Sequence, residues 1–227
     1  MPRPIRRDIP GYARHICIRA VNGMPCFLCD FDRYVFMKYL REAMERFGLE
    51  LHAYVLMTNH VHLIATAREG GVVAKVMHYT CLQYARYFNR RYERTGPVFE
   101  GRYFASLVDS VSYLFVGMAY SELNPVRACM VDLPAVYPWS SHNQNLGGSG
   151  PLLITPHEEF LRLGPTTADR AAAWRDFVAR GIEKTQLDRM RKRFRGNRPF
   201  GSEEFEKRTG SEEEGDTPPT PILIAAR

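Results

Sequence analysis

Nowhere in the 227 residues does an apolar run approach the roughly 18 to 20 residues needed to cross a bilayer, which excludes a spanning helix. The opening Met1-Pro2-Arg3-Pro4-Ile5-Arg6-Arg7 lacks the apolar segment of a secretory signal, so a cytoplasmic location is expected. Cysteines are few and odd in number: Cys17, Cys26, Cys29, Cys81 and Cys129. Without an export signal they read as reduced thiols, not a disulfide framework. Cys26-Phe27-Leu28-Cys29 has the spacing of half a zinc site, yet no second such pair or nearby histidine pair completes it, and no structural zinc is expected. No internal repeat is evident, and the absence of an RNP-type aromatic motif argues against RRM-style RNA binding.

Hydrophobic residues make up 45% of the chain and charged residues 25%, enough for a sizeable core in one main domain with an appendage. The net charge of +6 is unevenly placed. Ser202 to Arg227 carries seven acidic and three basic residues, a balance of −4 that leaves +10 on the rest. A basic body with an acidic tail suggests a polyanionic partner, with the tail an electrostatic competitor for the same basic surface.

Tyr12 to Val21 alternates as a first strand and closes at Asn22-Gly23. Asp30 is placed to cap a helix carrying Phe31, Tyr34, Met37, Leu40, Met44 and Phe47, which ends at Gly48. Leu49 to Met57 and Val61 to Ala67 read as a hairpin joined by Thr58-Asn59. A long helix follows from about Val72 to Tyr92 and stops at Gly96-Pro97. Val98 to Val108 reads as another strand, then Asp109 or Ser110 caps a helix over Val111 to Leu123 that must end near Pro125. The order βαββαβα predicts an α+β domain over residues 1–141, a ferredoxin-like or RRM-like antiparallel sheet with helices on one face. Leu146-Gly147-Gly148-Ser149-Gly150 reads as a linker to a helical C-terminal extension, residues 151–209, with helices over Thr155 to Leu163 and Thr167 to Arg195. The Glu/Gly/Thr/Pro-rich 210–227 reads as a disordered tail.

Asn59-His60-Val61-His62-Leu63-Ile64 opens an apolar strand with two imidazoles on the same face, roughly 6 to 7 Å apart and close enough to share a metal ion. Val61 points the other way, into a core. The helix over Val111 to Leu123 offers a nucleophile in Tyr120 or Tyr113. Asn124, four residues after Tyr120 and about one turn along, is placed to complete the metal site. The lone histidines His15, His52, His78, His142 and His157 read as satisfied core or surface groups.

His60-Val61-His62, then Tyr120-Ser121-Glu122-Leu123-Asn124-Pro125-Val126-Arg127-Ala128, then Tyr137-Pro138-Trp139-Ser140-Ser141, resemble the single-tyrosine HUH transposases, specifically the REP-associated tyrosine transposases. The resemblance covers about Arg6 to Ser141. It implies a DNA endonuclease and strand transferase acting on single strands folded into hairpins. His60 and His62 match the family's metal ligands, Tyr120 its nucleophile, and Asn124 the place of a polar residue that can contact the metal. The metal implied is Mg2+ or Mn2+, the partner a chromosomal repeat hairpin, and the site nucleoid-associated. The resemblance fits a monomer or a homodimer. The alternative is a DNA-binding regulator that has kept the fold and turns over little. A replication-initiator nuclease of the same chemistry is disfavoured because no helicase region follows.

Two basic stretches are candidate DNA contacts. Tyr84 to Arg94 interleaves aromatics with Arg86, Arg90, Arg91 and Arg94, a pairing suited to phosphates and unpaired bases. Lys184 to Arg198, including Arg191, Lys192 and Arg193, is placed to grip a hairpin duplex through its backbone.

Overall fold

A computed structural model of the chain describes residues 8–109, 111–151 and 154–210. The proposed cap Ser110 and the tail beyond Gly210 lie outside the described residues. Strands β1 (Ala13–Arg19), β2 (Leu49–Leu56), β3 (His60–Ala67) and β4 (Phe104–Leu107) form one sheet in the order β2-β3-β1-β4, with every neighbouring pair antiparallel. Helix α1 (Asp30–Phe47) links β1 to β2, and α2 (Val72–Arg91) links β3 to β4. This is the α+β, ferredoxin-like arrangement expected from the alternation of patterns. Among the described residues no helix is long and apolar enough to cross a membrane.

β3 is buried along both faces except at His60, so its two sets of side chains enter two different cores. Val61, Leu63 and Ala65 join Ile16 and Ile18 of β1 and Phe36, Leu40, Val76, Tyr84 and Phe88 of α1 and α2. Ile64, with Ala13 and Ala53, packs against Leu114, Phe115, Val116, Met118 and Ala119 of α3 (Val111–Glu122). The expectation of helices on one face is therefore corrected: α1 and α2 share a face and α3 covers the other. An apolar residue at position 64 inside a strand already apolar at 61, 63 and 65 demands a second cover. Gly117 lets α3 lie close, since a Cβ there would come within 3.2 Å of Ile64 Cδ1.

Other boundaries shift for local reasons. Cys29 caps α1, and Asp32, not Asp30, completes the box: its Oδ2 accepts from the Leu28 and Cys29 amides at 2.8 and 3.2 Å. The strand read from Val98 to Val108 pairs only over β4, because the chain turns at Gly101 (φ 136°), leaving Phe99 in a single bridge to Ala20. After α3 a separate turn, α4 (Asn124–Arg127), begins where Pro125 cannot donate to a continuing helix.

Residues beyond Tyr137 build α5 (His142–Asn145), α6 (Glu158–Leu161), α7 (Thr167–Arg180), α8 (Lys184–Arg195) and α9 (Glu203–Gly210). The single helix expected over Thr167 to Arg195 is broken at Gly181, whose φ of 73° suits glycine and ends α7. Phe160, Trp174, Val178, Met190, Phe194 and Phe200 complete the core under α3.

Candidate active site

The site forms on the α3 face of the sheet. The register sets Cys17 opposite His62, Arg19 opposite His60 and His15 opposite Ile64, so His15 and His62 are diagonal neighbours on one face. The rings of His60 and His62 lie 4.9 Å apart between centroids. Tyr120, in the last turn of α3, sets its ring edge-on to His62 at 5.4 Å. The strand pair and helix thus bring together the three residues singled out for chemistry. Tyr113 is two turns earlier on α3, packed against Phe200 at 4.9 Å with its hydroxyl 3.5 Å from Arg189.

Both imidazoles of the pair are held as neutral bases. Burial, then the positive charge of Arg19, lowers the pKa of His60 to about 4. Burial, then His15, His60, Arg19 and Arg127, pushes His62 well below the usual histidine value. A neutral imidazole is the form that donates a lone pair to a cation. His60 Nδ1 lies 2.7 Å from Asn59 Oδ1, and Asn59 Nδ2 donates to the Gly23 carbonyl at 3.1 Å. With Nδ1–H given to that oxygen, the lone pair of His60 is on Nε2. Asn124 has its side-chain amide nitrogen buried and without a hydrogen-bond partner. Two neutral imidazoles on one face are nitrogen donors suited to a divalent cation, whereas Asn124 could ligate only through its amide oxygen, and among the described residues no group of three or more His, Cys, Asp or Glu side chains could hold a metal ion. Because α3 stops at Glu122, Asn124 is held by α4, and a continuous helical turn from Tyr120 does not carry it.

Three further residues belong to the site. His15, read from the sequence as a structural histidine, places Nε2 2.7 Å from His62 Nδ1 and its ring 6.0 Å from that of Tyr120. Burial, then the His60 and Arg19 charges, brings its pKa down to about 3. Phe194 of α8 stacks on His15 at 3.8 Å, with the planes 9° apart. Arg127 lays its guanidinium over the Tyr120 ring, 4.3 Å from the centroid, and donates through Nη2 to the Tyr120 carbonyl. Burial lowers the Arg127 pKa to about 10, with Tyr120 opposing and Arg191 reinforcing the shift. The quoted Asn124-Pro125-Val126-Arg127 block already contained this arginine. His15 carried one signal, its place on a strand of the same parity as the site face, which only the register converts into contact.

Glu122 ties the helix that carries Tyr120 to the rest of the chain. Its side chain is fully buried and accepts from Ser141 Oγ and Asn145 Nδ2, each at 2.7 Å, and from His142 Nδ1 and Trp174 Nε1, each at 2.9 Å. The Tyr137 to Ser141 segment thus buttresses α3. His142 and His52 are satisfied core groups, as read, and His78 is exposed.

The two basic stretches separate in space. Arg86, Arg90, Arg91 and Arg94 belong to α2 and its end, on the face of the sheet opposite Tyr120. The aromatics among them are largely committed: Tyr84 and Phe88 are core, and the Tyr87 and Tyr92 hydroxyls donate to Asp32 at 2.7 and 2.8 Å. Arg91 lies 3.7 Å from the same carboxylate. Lys192 and Arg193 of α8 line a cavity of about 230 Å3 with Arg189 and Arg198. Glu206 pairs with Arg189 at 2.8 Å and also with Arg193.

No curated protein matches the chain. A solved structure of a REP-associated tyrosine transposase bound to a REP hairpin is similar in fold, with a TM-score of 0.54 and 15% identity, over 70% of this chain and 96% of that one. The family model described as "Transposase IS200 like" matches residues 13–120, a span that opens at β1 and closes on Tyr120. The matched segment, residues 13–120, is similar to the IS200-like transposases and contains both histidines of the pair and the tyrosine.

Proposed function

We propose that this protein is a metal-dependent endonuclease and strand transferase acting on single-stranded, hairpin-forming repeat DNA through a 5′-phosphotyrosine. One observation carries the reading: the imidazoles of His60 and His62 and the phenol ring of Tyr120 meet on one face of the sheet, at 4.9 and 5.4 Å. The match of residues 13–120 to the IS200-like transposase model supports the reaction class. The similar transposase bound to a REP hairpin supports the substrate class.

His60 and His62, with Asn124 as third ligand, would hold Mg2+ or Mn2+. When bound, the cation polarises a non-bridging phosphate oxygen and orients the phosphodiester. Tyr120 attacks phosphorus through its phenolic oxygen, losing its proton. The phosphorus–O3′ bond breaks, O3′ takes up a proton, and the phosphate stays esterified to Tyr120. A second 3′-hydroxyl reverses the step, so no nucleotide triphosphate is consumed. Arg127 holds the ring and main chain of Tyr120 in place. Lys184, Arg191, Lys192 and Arg193 grip the hairpin backbone, with Arg189 and Arg198 beside them. Arg86, Arg90, Arg91 and Arg94 engage only DNA that reaches round to the α2 face.

Labelled hairpin DNA with Mn2+ is expected to give a denaturation-resistant protein–DNA adduct that maps to Tyr120. Tyr120→Phe should bind the hairpin and form no adduct, whereas an adduct surviving in that variant would transfer the role to Tyr113. Hairpin retardation without any adduct would favour the regulator reading. Lys192→Glu should weaken hairpin binding about tenfold at moderate salt and flatten its salt dependence. Unchanged binding would remove α8 from the DNA surface.

A further inference from the structure

Every ring nitrogen around the histidine pair can be assigned a role except one. His60 gives its Nδ1–H to Asn59 Oδ1, an atom that only accepts. The equivalent nitrogen of His62 faces His15 Nε2 at 2.7 Å, with His62 4% and His15 2% exposed. His15 Nδ1 is buried and has no hydrogen-bond partner.

A hydrogen bond between two neutral imidazoles has two arrangements. In the first, His15 Nε2–H donates to His62 Nδ1, which puts the His62 proton on Nε2 and blocks that nitrogen as a ligand. In the second, His62 Nδ1–H donates to His15 Nε2, which frees His62 Nε2 and moves the proton of His15 to its own Nδ1. Exchanging one for the other shifts a proton within each ring and releases none. Only the second matches His60, whose lone pair is on Nε2.

We infer that His15 is a positioning residue for the cation: it accepts the Nδ1–H of His62 and so holds His62 in the tautomer that ligates through Nε2. The inference deepens the proposed function, since it concerns the same cation. It gives the aligned stack of Phe194 on His15 at 3.8 Å a consequence, because α8 thereby fixes the plane of the ring that selects the His62 tautomer. Outer partners of metal-bound histidines commonly act this way, and losing one typically costs 10- to 100-fold in metal affinity.

Mn2+ binding to the full chain, without DNA, is the test, read by the electron paramagnetic resonance of free Mn2+. His15→Phe keeps a flat ring against Phe194 but has no acceptor, and should weaken Mn2+ about 10- to 100-fold. His15→Gln supplies a carbonyl oxygen as acceptor and should stay within about threefold of the unsubstituted chain. Equal affinity in all three proteins would overturn the inference and leave the proposed function standing. Failure of the unsubstituted chain to bind Mn2+ would instead overturn the metal reading and this inference together. Should His15→Phe fail to fold, as judged by its melting curve, 15N spectra of the Mg2+-loaded chain decide. A proton on His62 Nδ1 supports the inference, and one on His62 Nε2, or cation contact at His15 itself, overturns it.

Discussion

Neutral His52 makes two hydrogen bonds: Nδ1–H donates to the Thr155 carbonyl at 2.7 Å and Nε2 accepts from Thr66 Oγ1 at 2.9 Å. Burial is the main reason its pKa falls to about 4. At pH above about 6.5 neither folded nor unfolded His52 carries a proton, and nothing is lost. As pH falls from about 6.5 to about 4, the unfolded chain takes up a proton that the folded chain refuses, so stability declines. The His52 share reaches about 3 kcal/mol near pH 4. Urea midpoints measured across this window should fall with acidification, and His52→Gln should shrink the fall. An equal fall in the variant would assign it to other groups. His15 and His52 look alike in sequence, each a lone histidine in an apolar strand, and only His15 meets the histidine pair. The difference is which cross-strand neighbour each meets, Thr66 or His62, and that is a property of register.

At the scale of elements, α3 is apolar on nearly every side and so carries no amphipathic stripe to orient it. What fixes its azimuth is the close approach at Gly117 and the four donors converging on Glu122. Glu122→Ala would strand those donors in the interior and should cost about 3–5 kcal/mol, measurable by chemical denaturation. In conditions where the variant is still folded, adduct yield should fall further than hairpin binding, because the helix that presents Tyr120 loses its anchor. A loss below about 1 kcal/mol would show that packing alone orients α3. The existence of most helices and strands was legible from periodicity and breakers, since these act within a few residues. The break between α7 and α8 at Gly181 is faint in the sequence because the polar, helix-favouring residues on either side continue one pattern across it.

For the molecule as a whole, the C-terminal half closes the sheet. Ser140 bridges Val55, Leu56 donates to the Trp139 carbonyl at 2.9 Å, and Thr155 donates to the Leu51 carbonyl at 2.7 Å, which occupies the β2 edge. Phe200 bridges Val108 and donates to the Leu107 carbonyl at 2.8 Å, and Asn197 Oδ1 accepts from the Ala105 amide at 2.8 Å, which occupies the β4 edge. Covered edges offer no template for a second copy to extend the sheet. Light scattering of the purified chain should therefore give the mass of one chain, 26.1 kDa. A stable dimer would require a different interface. A chain ending before Pro151 should aggregate, because it uncovers the β4 edge and strips Trp174, Phe194 and Phe200 from the core under α3.

The residues behind the proposed chemistry were readable in order: two histidines one apart on a strand, a tyrosine near a helix end, and Asn124-Pro125 after it. Strand parity and helix punctuation are local, so the sequence by itself determined which face His60 and His62 share and where the helix bearing Tyr120 must stop. Only the tertiary structure decided that α3 crosses the sheet on that face, that His15 joins the site while the α2 arginines lie on the far side, and that α8 packs over it. These outcomes depend on pairings between residues 47 to 179 positions apart, which follow from the packing of whole elements and leave no periodic trace in the chain.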